Sequence, residues 1–216
     1  MRLLRAGRLL AVVVLLWATA AGAAELPPPI DLPKPKLDAS ATLVQALKAR
    51  KSSREFAPAS LPLQTLSDLL WAACGVNRED GRRTAPSAKN WQEIDVYVVV
   101  REGAYLFDAR AHALRGVARG DFREATGTQA FVKEAPLNLV FVADLSRMGG
   151  ASGPDRDAYA AADAGFVSQN VYLYAAASGL STVVRGSVDR PALAKALGLR
   201  PDQRIVLAQT VGLPKP

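Results

Sequence analysis

Histidine and cysteine are almost missing from this 216-residue chain, which has one of each. Cys74 alone cannot close an internal disulfide, and it has no companions for a thiolate metal site. A single imidazole, His112, leaves little room for a Ser-His-Asp arrangement. It falls in a polar hairpin arm and reads as an ordinary surface residue. Aromatic residues make up only 6% of the chain, and no run of Lys and Arg is interleaved with them. The usual nucleic-acid footprint, cations alternating with stacking rings, is therefore absent. There is no internal repeat. What the chain does have is 50% hydrophobic residues and a formal charge of +7. That is enough apolar material for one sizeable core and a single domain.

The N-terminus has the three parts of a secretory signal. MRLLRAGR is basic, LLAVVVLLWATAA is apolar, and Ala21-Gly22-Ala23 supplies small residues for cleavage after Ala23 or Ala24. Residues 1–24 are thus expected to be a signal peptide. The mature protein would be periplasmic or secreted, with no stable membrane insertion after cleavage; an uncleaved anchor is the alternative. Arg2, Arg5 and Arg8 are not adjacent, unlike the pair of a twin-arginine signal. Losing these three arginines takes the formal charge from +7 to about +4. Residues 25–38 are proline-dense and read as an extended, solvated linker. The domain is expected over residues 39–216.

Asp38 and Ser40 offer caps for a helix over residues 41–50, with Leu43, Val44 and Leu47 on one face. Ser60 offers a cap for a helix over 61–74, with Leu66, Leu69, Leu70 and Ala73 buried. Strands at 96–100 and 105–107 read as a hairpin. Residues 121–132 read as a helix. The run LNLVFVA at 137–143 reads as a strand covered on both faces. Residues 144–154 form a glycine-rich loop, a candidate lid. A long helix follows from Asp157. Its many Ala and Ser residues and near lack of a polar face suit a core or an interface. Gly179 stops it. A strand at 182–184 ends in Arg185-Gly186, and a short helix and a last strand at 205–211 complete the chain. The class is α+β, helices around a mostly antiparallel sheet.

Three stretches carry possible chemistry. Arg50-Lys51-Ser52-Ser53-Arg54 puts three cations and two hydroxyls at a helix exit, a good set for phosphate oxygens. Alternation places Arg50, Ser52 and Arg54 on one side if the segment is extended. A solvated charged turn is the plain alternative. In Ala85-Pro86-Ser87-Ala88-Lys89-Asn90, small residues let a flat ring approach, and the Asn90 amide can both donate and accept. Here the plain alternative is a capped helix start. The turn after Val184 offers backbone N–H groups, or the Arg185 side chain, to a ring that gains negative charge on reduction. Tyr159, Tyr172 and Tyr174 are conceivable proton donors, but at helical spacing they read as packing residues.

In this order the motifs RKSSREF, APSAKN, GFVSQNVYLYAAASGL and STVVRG resemble the FMN-dependent nitroreductase family, over about residues 43–212. They are also similar to the branch with the thiazoline/oxazoline oxidases of peptide maturation. The resemblance implies an FMN-binding homodimer with its flavins at the subunit interface and the long helix packed against its twin. It implies that Arg50, Lys51, Ser52 and Arg54 hold the phosphate and ribityl chain. Pro86, Ser87 and Ala88 would back the isoalloxazine, Asn90 would bond its polar edge, and Arg185-Gly186 would lie near N5. Many members carry a Lys-x-Arg near the C-terminus; here Lys215 stands in that region. The implied activity is transfer of a hydride or electron pair to or from a small planar substrate, with a redox partner as a possible electron source. The alternative is an exported flavin-binding module without turnover. Segments 78–83 and 144–154 are expected to wall the substrate slot.

Overall fold

Among the described residues, seven strands in one sheet carry the fold. The computed structural model describes residues 25–36 and 41–216, so the signal-like segment and the expected caps Asp38 and Ser40 lie outside the described residues. In chain order the elements are β1 (Ile30–Asp31), α1 (Leu43–Ala49), α2 (Leu63–Cys74), β2 (Ile94–Val100), β3 (Gly103–Asp108) and β4 (Ala113–Arg119). Then come α3 (Phe131–Glu134), β5 (Leu137–Asp144), α4 (Gly153–Ala177), β6 (Ser181–Arg185), α5 (Arg190–Ala196) and β7 (Gln203–Gly212). The strand order is β1-β4-β3-β2-β5-β7-β6, and every paired neighbour is antiparallel. This is the expected α+β class.

The central strand β5 is buried at every position because both its faces are covered. On one side Leu139 and Phe141 join Leu69 and Leu70 of α2 and Ala164 and Val171 of α4. On the other, Val140 and Val142 join Leu193 of α5 and Ile205 of β7. A strand wet on one face would alternate; this one reads as a continuous apolar run. The long helix α4 lies on α1 and α2 and ends where Gly179 takes a left-handed φ of +68°.

Several expectations are corrected. Residues 25–36 are extended but not a solvated linker. Ile30 and Asp31 pair with Leu114 and Ala113, adding an edge strand, the one place in a sheet that tolerates neighbouring prolines. Leu32 is buried, and Pro27 lies so close to β4 that a Cβ on Gly116 would sit 1.9 Å from its carbonyl oxygen. His112 is half-buried rather than free on the surface: its Nε2 is 2.7 Å from Ser67 Oγ, which donates to the Pro33 carbonyl at 2.5 Å. That pair clips the proline-rich segment down.

The apolar face of helix α1 points outward. Leu43, Val44 and Leu47 are 64%, 59% and 51% exposed, and Ala46 faces inward. Periodicity reveals an apolar face but not what covers it. Thr42 caps this helix in a reciprocal pair with Gln45. Pro62, not Ser60, precedes α2. Residues 121–132 are not one helix: a single tight turn at Arg123–Thr126 gives way at Gly127 before α3. Gly127 is needed because a Cβ there would meet the Arg185 guanidinium at 1.8 Å. Strand β4 has no counterpart in the sequence reading.

Candidate functional site

Beyond α1 the chain runs along the free edge of β6. Ser53 N donates to Thr182 O at 2.9 Å, and Ser181 Oγ donates to Ser53 Oγ at 3.2 Å. Tyr172 of α4 is the hub. Its hydroxyl lies 2.7 Å from Ser52 Oγ and accepts from Val184 N at 3.0 Å. The Arg50 guanidinium sits 5.4 Å from the centre of its ring. One phenol therefore joins the 50–54 bend, the long helix and the strand leading to residues 185–186. Reading Tyr172 as packing missed this; the available signal is that a buried tyrosine hydroxyl needs partners.

The facing of the bend differs from the expected alternation. A cavity of about 550 Å³ is lined by Lys51, Ser53, Glu55, Tyr172, Thr182 and Lys215. Ser52 is turned to Tyr172 instead, and Arg54 lines a smaller cavity of about 90 Å³ with Phe131 and Glu134. Lys215 reaches both cavities because Ala57 N donates to Leu213 O at 2.9 Å and Phe56 bridges to Pro214. Two ammonium groups and a hydroxyl against one acid suit a phosphate-bearing ligand. Lys51 and Ser53 are the two residues that alternation points away from Arg50, Ser52 and Arg54.

The Arg185 side chain does not stay at the strand-end turn. It is buried and donates to Thr126 O at 2.7 Å and to Asn138 Oδ1 and Thr210 Oγ1, each at 2.9 Å. These acceptors are neutral, and burial pulls its pKa down to about 10. What remains at the turn is backbone, and a Cβ on Gly186 would meet nothing within 4 Å. The turn is open to a flat group.

The second set of residues is built differently. Residues 86–90 are not a plain helix start: Lys89, Asn90 and Gln92 take left-handed φ values of 50°, 56° and 50°. Such backbone is uncommon outside glycine and clusters at functional sites. Buried acids hold it. Ala88 N donates to Asp163 Oδ2 at 2.8 Å, Ser87 Oγ to Glu93 Oε2 at 3.0 Å, and Gln92 N to Ser87 Oγ at 2.8 Å. Glu93 is fully buried. Burial first, then the Asp163 carboxylate, push its carboxyl up to about 7, against hydrogen bonds from its own backbone and Ser87. Neither acid was picked out from sequence. Pro86, Ser87, Asn90 and Asp163 bound a cavity of about 420 Å³, shared with Arg78, Arg82 and Arg83 of segment 78–83. Residues 144–154 do not appear in its wall. The start of that loop is pinned by Arg147, which donates to both Asp95 oxygens at 2.9 Å.

The two sets do not meet within one chain. They attach to α4 through Tyr172 and Asp163, nine residues apart, which is roughly 14 Å along the axis and half a turn around it. Arg50, Ser52 and the approach to residues 185–186 come together; Pro86, Ser87, Ala88 and Asn90 form a separate group on another cavity. Among the described residues there is no group of three or more His, Cys, Asp or Glu that could hold a metal, and no helix long and apolar enough to cross a membrane.

Residues 47–213 match the family model described as the Nitroreductase family. A Methanocaldococcus jannaschii protein carried under a nitroreductase name is 34% identical over 155 residues, 67% of this chain and 78% of that one. A crystal structure from Ralstonia eutropha JMP134, also titled as a nitroreductase, is 44% identical with a TM-score of 0.83, covering 87% of this chain and 90% of that chain. The NADPH:FMN oxidoreductase of Vibrio harveyi shares the fold at 20% identity and a TM-score of 0.61, over 81% of this chain and 69% of that chain. Matched span, sequence identity and shared fold agree, and the chain belongs to the nitroreductase family as an oxidoreductase of nitroreductase type.

Proposed function

We propose that this protein is an FMN-dependent oxidoreductase that works as a homodimer and exchanges a hydride or electron pair with a small planar substrate. The observation that carries the reading is the placement of the two residue sets on opposite sides of α4. One copy cannot close both around one ring; two copies packed through the helical layer can. The same layer exposes apolar side chains that the described chain leaves uncovered: Leu43, Val44 and Leu47 of α1, and Tyr159 and Phe166 of α4, the last two 43% and 47% exposed. Family membership supports a flavin, and the Vibrio harveyi neighbour is named for FMN.

The donors present fit such a group. Lys51, Ser53 and Lys215 would take the phosphate, with Arg50 and Arg54 flanking. The open turn at Gly186 admits a flat ring. Pro86, Ser87 and Ala88 of the second copy would cover it, with the Asn90 amide at its edge. When bound, FMN supplies the redox chemistry; the chain binds, orients and excludes water. The signal-like residues 1–24 favour export to the periplasm or beyond. There a redox partner, or oxidation of the substrate itself, would replace NADPH as the source of electrons, so anaerobic NADPH should bleach the flavin only slowly.

The test is the visible spectrum and solution mass of the purified protein. A yellow dimer releasing one FMN per chain on denaturation is expected. A colourless monomer overturns the reading.

A further inference from the structure

The cavity beside residues 86–90 has an uneven wall. Its floor is apolar: Cys74, Ala85, Ile94 and Val167 are all buried there. Burial raises the Cys74 thiol to about 11, so it stays a neutral surface rather than a nucleophile. Around the floor stand four cations, Arg78, Arg82, Arg83 and Lys89. The one carboxylate in the wall, Asp163, is occupied by Ala88 N.

These cations have little to neutralise them among the described residues. Arg78 donates to neutral oxygens, Asn77 Oδ1 at 3.1 Å and the Arg83 carbonyl at 3.0 Å. Arg83 donates to the Ile94 carbonyl at 3.3 Å, and its Nε is buried without a hydrogen-bond partner. Lys89 lies 5.2 Å over the Trp91 ring. Arg82 has Asp80 at 3.4 Å, a half-exposed pair, and Arg83 lies near Asp95, whose two oxygens are already taken by Arg147. Nor is the loop loose. Asn77 N donates to Arg82 O at 3.1 Å, Gly81 N to Arg78 O at 3.0 Å, and Gln92 Nε2 ties the Gly81 carbonyl to the strained turn at 3.2 Å. A fixed ring of cations above an apolar floor selects a flat apolar body that carries an oxyanion.

We propose that this cavity is a subsite for planar conjugated oxyanions, aromatic carboxylates being the simplest, with the ring on the Cys74–Val167 floor and the carboxylate at Arg78, Arg82 and Lys89. As a substrate subsite it rests on the oxidoreductase reading above; as a binding site it does not require the flavin.

The experiment compares 4-nitrobenzoate with the neutral isostere 4-nitrobenzamide by isothermal titration on the full protein as purified. Flavin content is read by absorbance on the same samples. The acid is expected to bind about tenfold more tightly, the scale of one charged hydrogen bond. That preference should fall to about twofold or less in Arg78→Gln/Arg82→Gln and survive in Lys51→Gln. Both arginines are exposed, so fold is checked by circular dichroism, and Arg82→Gln alone should give an intermediate preference. Equal binding of acid and amide, or a preference that survives the double variant, overturns the proposal. So does a preference lost only in Lys51→Gln, which would put the anion in the other cavity. Flavin present with no preference sinks this proposal alone; preference present without flavin sinks the oxidoreductase reading alone.

Discussion

Tyr172 holds three pieces of chain with one oxygen. Tyr172→Phe keeps the ring and strands the Val184 N–H, so stability should drop by about 1–2 kcal/mol in urea unfolding, with weaker FMN retention. Unchanged values for both would show the phenol to be idle. Glu93 gives a pH signature. Its native pKa of about 7 lies above the ordinary 4.5, so the native state binds more protons between these values. The stability its protonated form contributes is full below 4.5 and is lost as pH rises through 7, at up to about 1.4 kcal/mol per pH unit. Glu93→Gln should escape that loss, and its margin over the parent should widen from about pH 5 to 8. Parallel melting profiles would refute it. At this scale the sequence showed where charge collects but not which side faces in. Lys51 and Ser53 line the cavity because the bend follows the edge of β6, a pairing that no local alternation announces. Asp163 and Glu93 were hidden for a related reason: Asp163 is 75 positions from the amide it holds.

At the scale of elements, strongly patterned segments were legible. β5 read as a doubly covered strand and α4 as a long helix stopped at Gly179, because each pattern is set by its own neighbours in sequence. β1 was not legible, since proline-rich chain looks the same whether solvated or docked. Its docking hinges on Gly116, whose missing Cβ makes room for the Pro27 carbonyl. Gly116→Ala should release residues 25–32 while leaving the central sheet folded. Limited proteolysis would then cut early in that segment, with little change in circular dichroism. Parent-like resistance would mean that the His112–Ser67 clip holds the segment unaided.

For the whole molecule, the proposed dimer rests on apolar side chains facing outward from α1 and α4. Phe166→Asp places a charge in the middle of that surface. The variant should run as a monomer, retain its helical spectrum and lose its flavin, as read by light scattering and absorbance. A yellow dimeric variant would show that the interface lies elsewhere. The direction of these side chains was invisible in sequence, because an apolar face covered by the same chain and one covered by a second copy have one and the same periodicity.

The placement of Tyr172 and Asp163 on opposite sides of α4 has a genetic corollary. If each ring is gripped by Lys51 of one copy and Asn90 of the other, two damaged chains can rescue each other. Mixing a Lys51→Gln chain with an Asn90→Ala chain would create hybrids in which both lesions fall in one pocket and leave the other pocket wild-type. Neither inactive parent could do that with its own kind.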